Sequence, residues 1–127
     1  MSQSIALRFE EARMEESVCH CPTPEQVQRT MPGEESIAAL AEFFRTMGAD
    51  TRLKILLALD SCELCAGALA KALNMTPSAV SNQLKALKAA RLITVRREGK
   101  MLYYSLADCH PREIIHLALS HVQEIDE

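Results

Sequence analysis

Four apolar helical stretches, a run in which apolar residues recur at every second position, and one last helix predict a mainly α fold carrying a β-hairpin wing. Two observations narrow that class. A helix, a tight turn and a second helix with small polar side chains directly precede the hairpin, and the surplus positive charge lies in that second helix and the hairpin. The expected architecture is a winged helix-turn-helix, dimeric through its first and last core helices.

Residues 1–33 are expected to form a mobile N-terminal arm. They open with a stretch that fits a short amphipathic helix and continue through Val18-Cys19-His20-Cys21-Pro22-Thr23-Pro24, where two prolines disfavour helix. Neighbouring thiolates and an imidazole on such a segment can close over a metal ion. Residues 34–127 are expected to form the DNA-binding and dimerisation domain.

From Glu34 the period is helical, with Ile37, Leu40, Ala41 and Phe44 on one stripe that ends near Gly48. Asp50 is placed to cap the next helix, in which Leu53, Leu56 and Leu57 form the buried stripe and Ile55 with Leu59 widens it. A third helix is expected from about Leu64 to Leu73. Asn74-Met75 then makes the turn, and Thr76-Pro77 supplies an N-cap followed by proline at the first helical position. The fourth helix runs to about Ala90, with Val80, Leu84 and Leu87 inward. Its outward residues, Ser78, Ser81, Asn82, Gln83, Lys85 and Lys88, suit base edges and phosphates. After Arg91 the period becomes two, with Ile93 and Val95 on one strand, Leu102, Tyr104 and Leu106 on the next, and Glu98-Gly99 at the turn. Arg96, Arg97 and Lys100 near the tip suit a wing lying along a DNA backbone.

The net charge of −3 argues against a nucleic-acid binder until it is divided by region. Residues 78–104 carry six Lys and Arg against Glu98 alone, whereas the two ends of the chain are acidic. Focused positive charge of this kind is the electrostatic footprint of a DNA-contacting element, although an ordinary solvated face would share it.

The last helix, Asp108 to Glu124, carries His110, Ile114, Leu117, His121 and Glu124 at alternating spacings of four and three. That is the seam of a helix packed on another helix. Metal-ligand types stand at both ends: Asp108 with His110, and His121 with Glu124. The pairs are too far apart to meet within one chain, since eleven residues of helix rise roughly 16 Å. Either a second, antiparallel copy brings them together at two equal sites, or the seam simply has solvated polar ends.

Taken together, Asp50-Thr51-Arg52-Leu53-Lys54-Ile55-Leu56, Glu63-Leu64-Cys65, Ser78 through Leu87, and Gly99-Lys100 with Tyr103-Tyr104 resemble the ArsR/SmtB family of metal-responsive bacterial repressors over about residues 36–124. The resemblance implies a homodimer that binds operator DNA, controls metal efflux or resistance genes, and leaves DNA when metal binds. It further implies a zinc site at Asp108, His110, His121 and Glu124, matching zinc-sensing members at all four positions. A second site for cadmium, lead or zinc is implied at Cys19, Cys21 and Cys65, similar to cadmium- and lead-sensing members. That second site departs from the family pattern: Gly67 stands where cadmium sensors have a further cysteine, and Ala68 where some zinc sensors have aspartate. Cys62, three residues before Cys65 on the neighbouring turn, can supply a fourth thiolate. His116 points about 120° away from His110 in helical projection, which suggests packing or surface, and Cys109 faces away from the ligand set.

Five cysteines without a signal peptide suggest metal or redox chemistry in a cytoplasmic protein rather than a disulfide framework. A repressor switched by thiol oxidation on the same scaffold is the alternative. The Cys62-Glu63-Leu64-Cys65 spacing also fits a thiol oxidoreductase, but no strand-helix-strand pattern surrounds it, so no enzyme is expected.

Overall fold

The computed structural model describes residues 20–125. The chain divides into two units, one ending at Ala39 and the other beginning at Leu40.

Helix α1 spans Pro24–Thr30, where the prolines had argued against helix. Pro24 occupies the first turn, where a missing N–H leaves nothing unpaired. Ahead of it the Thr23 hydroxyl accepts from the Gln26 N–H at 3.2 Å, and the Gln26 side-chain carbonyl accepts from the Thr23 N–H at 2.8 Å. This reciprocal capping box closes the helix start. Helix α2, Glu34–Met47, carries the expected stripe, but Leu40 and Phe44 are each 53% exposed.

Helix α3, Asp50–Ser61, is the centre of the second unit. Asp50 is its first residue, not its cap; Ala49 takes the capping position without a side-chain hydrogen bond. Its buried face consists of Ile55, Leu56 and Leu59, whereas Leu57 is exposed and Leu53 half-buried. The core therefore lies on the side of Ile55 that had been assigned only to widening the stripe. Helix α4 spans Ala66–Leu73 and ends at Asn74, whose left-handed backbone (φ 56°, ψ 50°) a short amide side chain tolerates. Helix α5, Pro77–Ala89, follows after three residues and seats Val80, Leu84 and Leu87 on the same core. Each buried Leu, Ile or Val stabilises the fold by ~1.5–3 kcal/mol relative to exposure, so these three helices hold together chiefly by this shared contact.

Strands β1, Ile93–Glu98, and β2, Met101–Leu106, pair antiparallel from Ile93 opposite Leu106 to Glu98 opposite Met101. The two-residue connection is Gly99-Lys100, one position later than expected, and Gly99 has φ 65°, a conformation that tight hairpins assign to glycine. Leu64 is not helical. It forms an antiparallel bridge to Tyr104, with its N–H donating to the Tyr104 carbonyl at 3.1 Å and the Tyr104 N–H donating to its carbonyl at 2.9 Å. Next to the hairpin, this extended pairing satisfies backbone groups that a helix beginning at Leu64 would have paired internally.

Helix α6, Cys109–Ile125, buries Pro111 and Ile115. An Asp60 clamp fixes it against α3. One Asp60 carboxylate oxygen accepts from Arg112 Nε at 2.6 Å, the other lies 2.6 Å from His116 Nε2, and Arg112 Nη2 reaches the Asp60 carbonyl at 3.2 Å. The hydrogen bond with His116, followed by that with Arg112, holds the Asp60 carboxyl below its ordinary value.

A carboxyl whose pKa is lowered in the folded state contributes stability above the unfolded value of about 4, and the contribution fades as pH falls through the lowered folded value. Asp60→Asn is therefore expected to reduce the melting temperature at neutral pH, with the gap closing under acid conditions below about pH 4. Thermal melts at a series of pH values check this; a gap independent of pH would mean that the charge of Asp60 does not hold α6.

Candidate nucleic-acid interface and metal-ligand groups

Helix α5 is presented by its own start signal. The Thr76 hydroxyl accepts from the Ala79 N–H at 3.1 Å and Pro77 occupies the first turn, so the helix begins abruptly after the turn. Ser78, Ser81, Asn82, Lys85 and Lys88 are exposed, as the outward face requires. Gln83 is different: it is half-buried, and its side-chain carbonyl accepts from Arg52 Nε at 3.0 Å. A guanidinium only donates, so the amide oxygen of Gln83 must face inward. Arg52 also reaches the Thr46 carbonyl at 3.3 Å, which ties the ends of α2 and α3 to the middle of α5. Sequence reasoning placed Arg52 only within a helical motif. The available signal was a cation beside the apolar run of α3.

The wing separates its basic residues into two kinds. Among the described residues, Arg97 and Lys100 are exposed with no carboxylate at ion-pair distance, and the same holds for Lys85 and Lys88 on α5. Arg96 is enclosed. Its Nε lies 3.0 Å from both Glu63 carboxylate oxygens, Nη2 lies 2.9 Å from Glu63, Nη1 lies 2.7 Å from Glu98, and the guanidinium carbon stands 4.9 Å from the Tyr103 ring centre. Glu63, then Glu98, raises its pKa further above an already high value, so it is charged at any accessible pH. Exposed ion pairs of this sort are screened by water and salt and contribute little stability. Their consequence is positional.

The terminal-helix donors occupy two separate groups. The Asp108 carboxylate accepts from the His110 N–H at 2.8 Å, capping α6, and the same oxygen lies 3.4 Å from His110 Nδ1. His121 and Glu124 are exposed three residues apart near the other end. Midway between them Leu117 is 74% exposed, and among the described residues neither pair is joined by a third ligand type in a group that could hold a metal ion. The imidazole and carboxylate types suit zinc, but one chain supplies two donors at each end where zinc takes four. Other residues of α6 contribute to an apolar groove of about 300 Å³ whose lining includes Phe44, Leu53, Leu57, Ile114, Leu119 and Val122.

The cysteine set is divided as well. Cys19 lies outside the described residues; His20 and Cys21 are exposed in the first unit. In the second unit Cys62 follows the last residue of α3 and is exposed, while Cys65 precedes α4 and is half-buried. They do not share a helix on adjacent turns. Both have extended backbones and flank the Glu63-Leu64 segment that runs beside the wing. Thiolates of this kind suit soft cations such as cadmium, lead or zinc. Cys109 is exposed at the start of α6, and His116 is engaged by Asp60.

Residues 49–95 match the family described as bacterial regulatory protein, arsR family. The chain is 35% identical to the transcriptional repressor SmtB homolog of Synechocystis sp. over 127 residues, covering 99% of this chain and 96% of that protein. It is 34% identical to the cadmium resistance transcriptional regulatory protein CadC homolog of Staphylococcus aureus, covering 68% of this chain and 72% of that one. In three dimensions it is similar to the homodimeric winged helix-turn-helix DNA-binding domain of Mb0332 from Mycobacterium bovis. The TM-score is 0.67 at 28% identity, covering 74% of this chain and 92% of that structure.

If the unpaired wing cations meet phosphate, Arg97→Ala or Lys100→Ala will each flatten the logarithmic salt dependence of duplex DNA binding by up to ~0.9. Fluorescence anisotropy over a salt series measures it. A slope identical to that of the unaltered chain removes the substituted residue from the backbone-contact set.

Proposed function

The chain belongs to the ArsR/SmtB family of metal-responsive bacterial transcriptional regulators, which are DNA-binding proteins and not enzymes, and on that premise we propose that it is a homodimeric repressor released from operator DNA by zinc, cadmium or lead. The genes it controls would serve metal efflux or resistance. The observation that carries the proposal is the placement of Asp108 with His110 and of His121 with Glu124 at opposite ends of α6, with the exposed Leu117 between them.

Two copies of α6 set antiparallel about a two-fold axis near Leu117 would cover that leucine. They would also bring Asp108 and His110 of one subunit to His121 and Glu124 of the other. The exposed Leu40 and Phe44 of α2 extend the apolar surface available to the same contact. Zinc bound by these donors would supply a four-coordinate link between subunits. The chain's own residues do the rest: α6 is fixed to α3 through Asp60, and α3 packs on α5, so a change in α6 pairing changes the spacing of the two α5 helices. That spacing must suit successive major-groove turns, roughly 34 Å apart, for both helices to engage. Reversing a 99:1 preference for the DNA-bound form requires a differential affinity of ~5.5 kcal/mol between the two forms.

Cys19, Cys21, Cys62 and Cys65 form the proposed second, softer site. The similarity to the cadmium resistance regulator CadC homolog of Staphylococcus aureus supports it, as do the thiolate donors on either side of the wing-associated segment. Metal content after purification without chelator, beside a free-thiol count, distinguishes this reading from a switch by thiol oxidation. Ser78, Ser81, Asn82, Lys85 and Lys88 are proposed to contact DNA from α5, and Arg97 and Lys100 from the wing. Gln83 and Arg96, expected to join them, are held by Arg52 and by Glu63 with Glu98.

Leu117→Lys is expected to shift the chain from dimer to monomer in sedimentation velocity; a dimer of unchanged stability would place the interface elsewhere. His121→Ala should bind operator DNA as the unaltered chain does but resist release by zinc, while Cys65→Ser should lose release by cadmium or lead. Anisotropy titrations with each metal assign the sites. Zinc release of the His121→Ala protein equal to that of the unaltered chain would exclude the α6 site as the zinc switch.

A further inference from the structure

The segment between Cys62 and Cys65 is joined to the wing in two independent ways. Leu64 exchanges both backbone hydrogen bonds with Tyr104 of β2, at 3.1 and 2.9 Å, and so acts as a one-residue third strand beside the hairpin. Glu63 places its carboxylate on Arg96 of β1, with both oxygens 3.0 Å from Nε. Arg96 is in turn held by Glu98 on its own strand and lies over the ring of Tyr103, its cross-strand partner. Cys62 directly precedes Glu63, and Cys65 directly follows Leu64. No residue separates the thiols from the two residues that grip the wing.

We propose that Glu63 is a positioning residue that couples the state of Cys62 and Cys65 to the wing through Arg96, and that Arg96 is its wing-side partner and not a phosphate ligand. This deepens, and rests on, the reading that soft metal at the cysteine site releases DNA. The physical basis is the shortness of the segment. Drawing either cysteine toward another ligand by more than rotation of its own side chain allows turns the backbone at residues 62–65, and the two Leu64 hydrogen bonds resist displacement of that residue along the strand. The adjustment falls on the Glu63 side chain, which is exposed and, among the described residues, is held by Arg96. Arg97 follows Arg96 on the same strand, so its side chain projects from the opposite face, and a rotation of β1 that follows Arg96 re-aims Arg97. The wing's unpaired cations are thereby tied to the thiols without passing through the α6 interface.

The test uses the full chain, operator DNA and cadmium. In the absence of metal, Arg96→Gln should keep the salt slope of the unaltered protein; a slope reduced by ~0.9 would show that Arg96 holds a phosphate and would overturn the assignment. With cadmium, the unaltered chain should lose operator affinity by a factor within the ~5–150-fold span usual for coupled sites, and Glu63→Gln by less than ~3-fold. The ultraviolet thiolate-to-cadmium absorption should be equal in the two proteins, which separates lost coupling from lost binding. Exchanging the pair, Glu63→Arg with Arg96→Glu, should restore part of the response. Full cadmium release in both Glu63→Gln and Arg96→Gln overturns the inference while leaving the metal-sensing function intact. Failure of cadmium to release the unaltered chain overturns the thiol-site function itself, and this coupling with it.

Discussion

Helix α3 is the constraint on which the rest of the molecule depends, because it faces several neighbours with one short apolar surface. Ile55, Leu56 and Leu59 are almost wholly excluded from solvent, and α4, α5 and the wing all contribute to the core they occupy. A close-packed interior transmits displacement instead of absorbing it. Its two ends carry the polar connections: Arg52 reaches Gln83 near the start, and Asp60 grips Arg112 and His116 near the finish. Two residues beyond Asp60 the chain enters the Cys62-to-Cys65 segment and turns along the wing. Helix α3 thus joins the α6 donors, through Asp60, to the core shared with α5, while its finish leads into the segment paired directly with the wing.

Charge is arranged by the same geometry. Arg96 is paired with Glu63 and Glu98, while Arg97 and Lys100 on the hairpin and Lys85 and Lys88 on α5 have no carboxylate at ion-pair distance among the described residues. A chain with a net charge of −3 can therefore still present positive charge locally, and local density matters to a phosphate backbone more than the total. The apolar surface is uneven in a similar way. Ile115 of α6 is buried within the chain, whereas Leu117, Leu119 and Val122 are exposed. A face of this kind on a small domain marks an interaction surface. Here it lies between two pairs of ligand-type residues that are too far apart to meet on their own helix.

Much of the fold was legible because its signals are local. Thr76-Pro77 before an apolar period announces α5, Asn74 ends α4, and alternation around Gly99 announces the wing. The distance between His110 and His121 also followed from helical rise alone. Errors came where tertiary contact overrode local preference. Leu64 was read as the start of the helix that runs through Leu69 and Ala70 to Leu73, yet its backbone groups pair with Tyr104, a residue forty positions later. The buried face of α3 was misplaced because nearly every residue from Leu53 to Leu59 is apolar, and a period cannot be read from a run with few polar interruptions.

By itself the sequence determined most of the element types, the helix-turn-helix and wing, the focusing of positive charge, and which positions carry ligand-type side chains, Cys62, Cys65, Asp108, His110, His121 and Glu124 among them. Those depend on residue identity and on spacing along a chain of known rise. Only the tertiary structure decided that Arg96 is bound by Glu63, that Gln83 turns its carbonyl toward Arg52, that His116 serves Asp60, and that Cys62 and Cys65 flank the Leu64 bridge to the wing instead of sharing a helix. Each of these joins residues 31 to 56 positions apart, or more closely placed residues whose backbone was set by such a contact. Side-chain chemistry makes such partners possible, but only packing brings them within hydrogen-bonding distance.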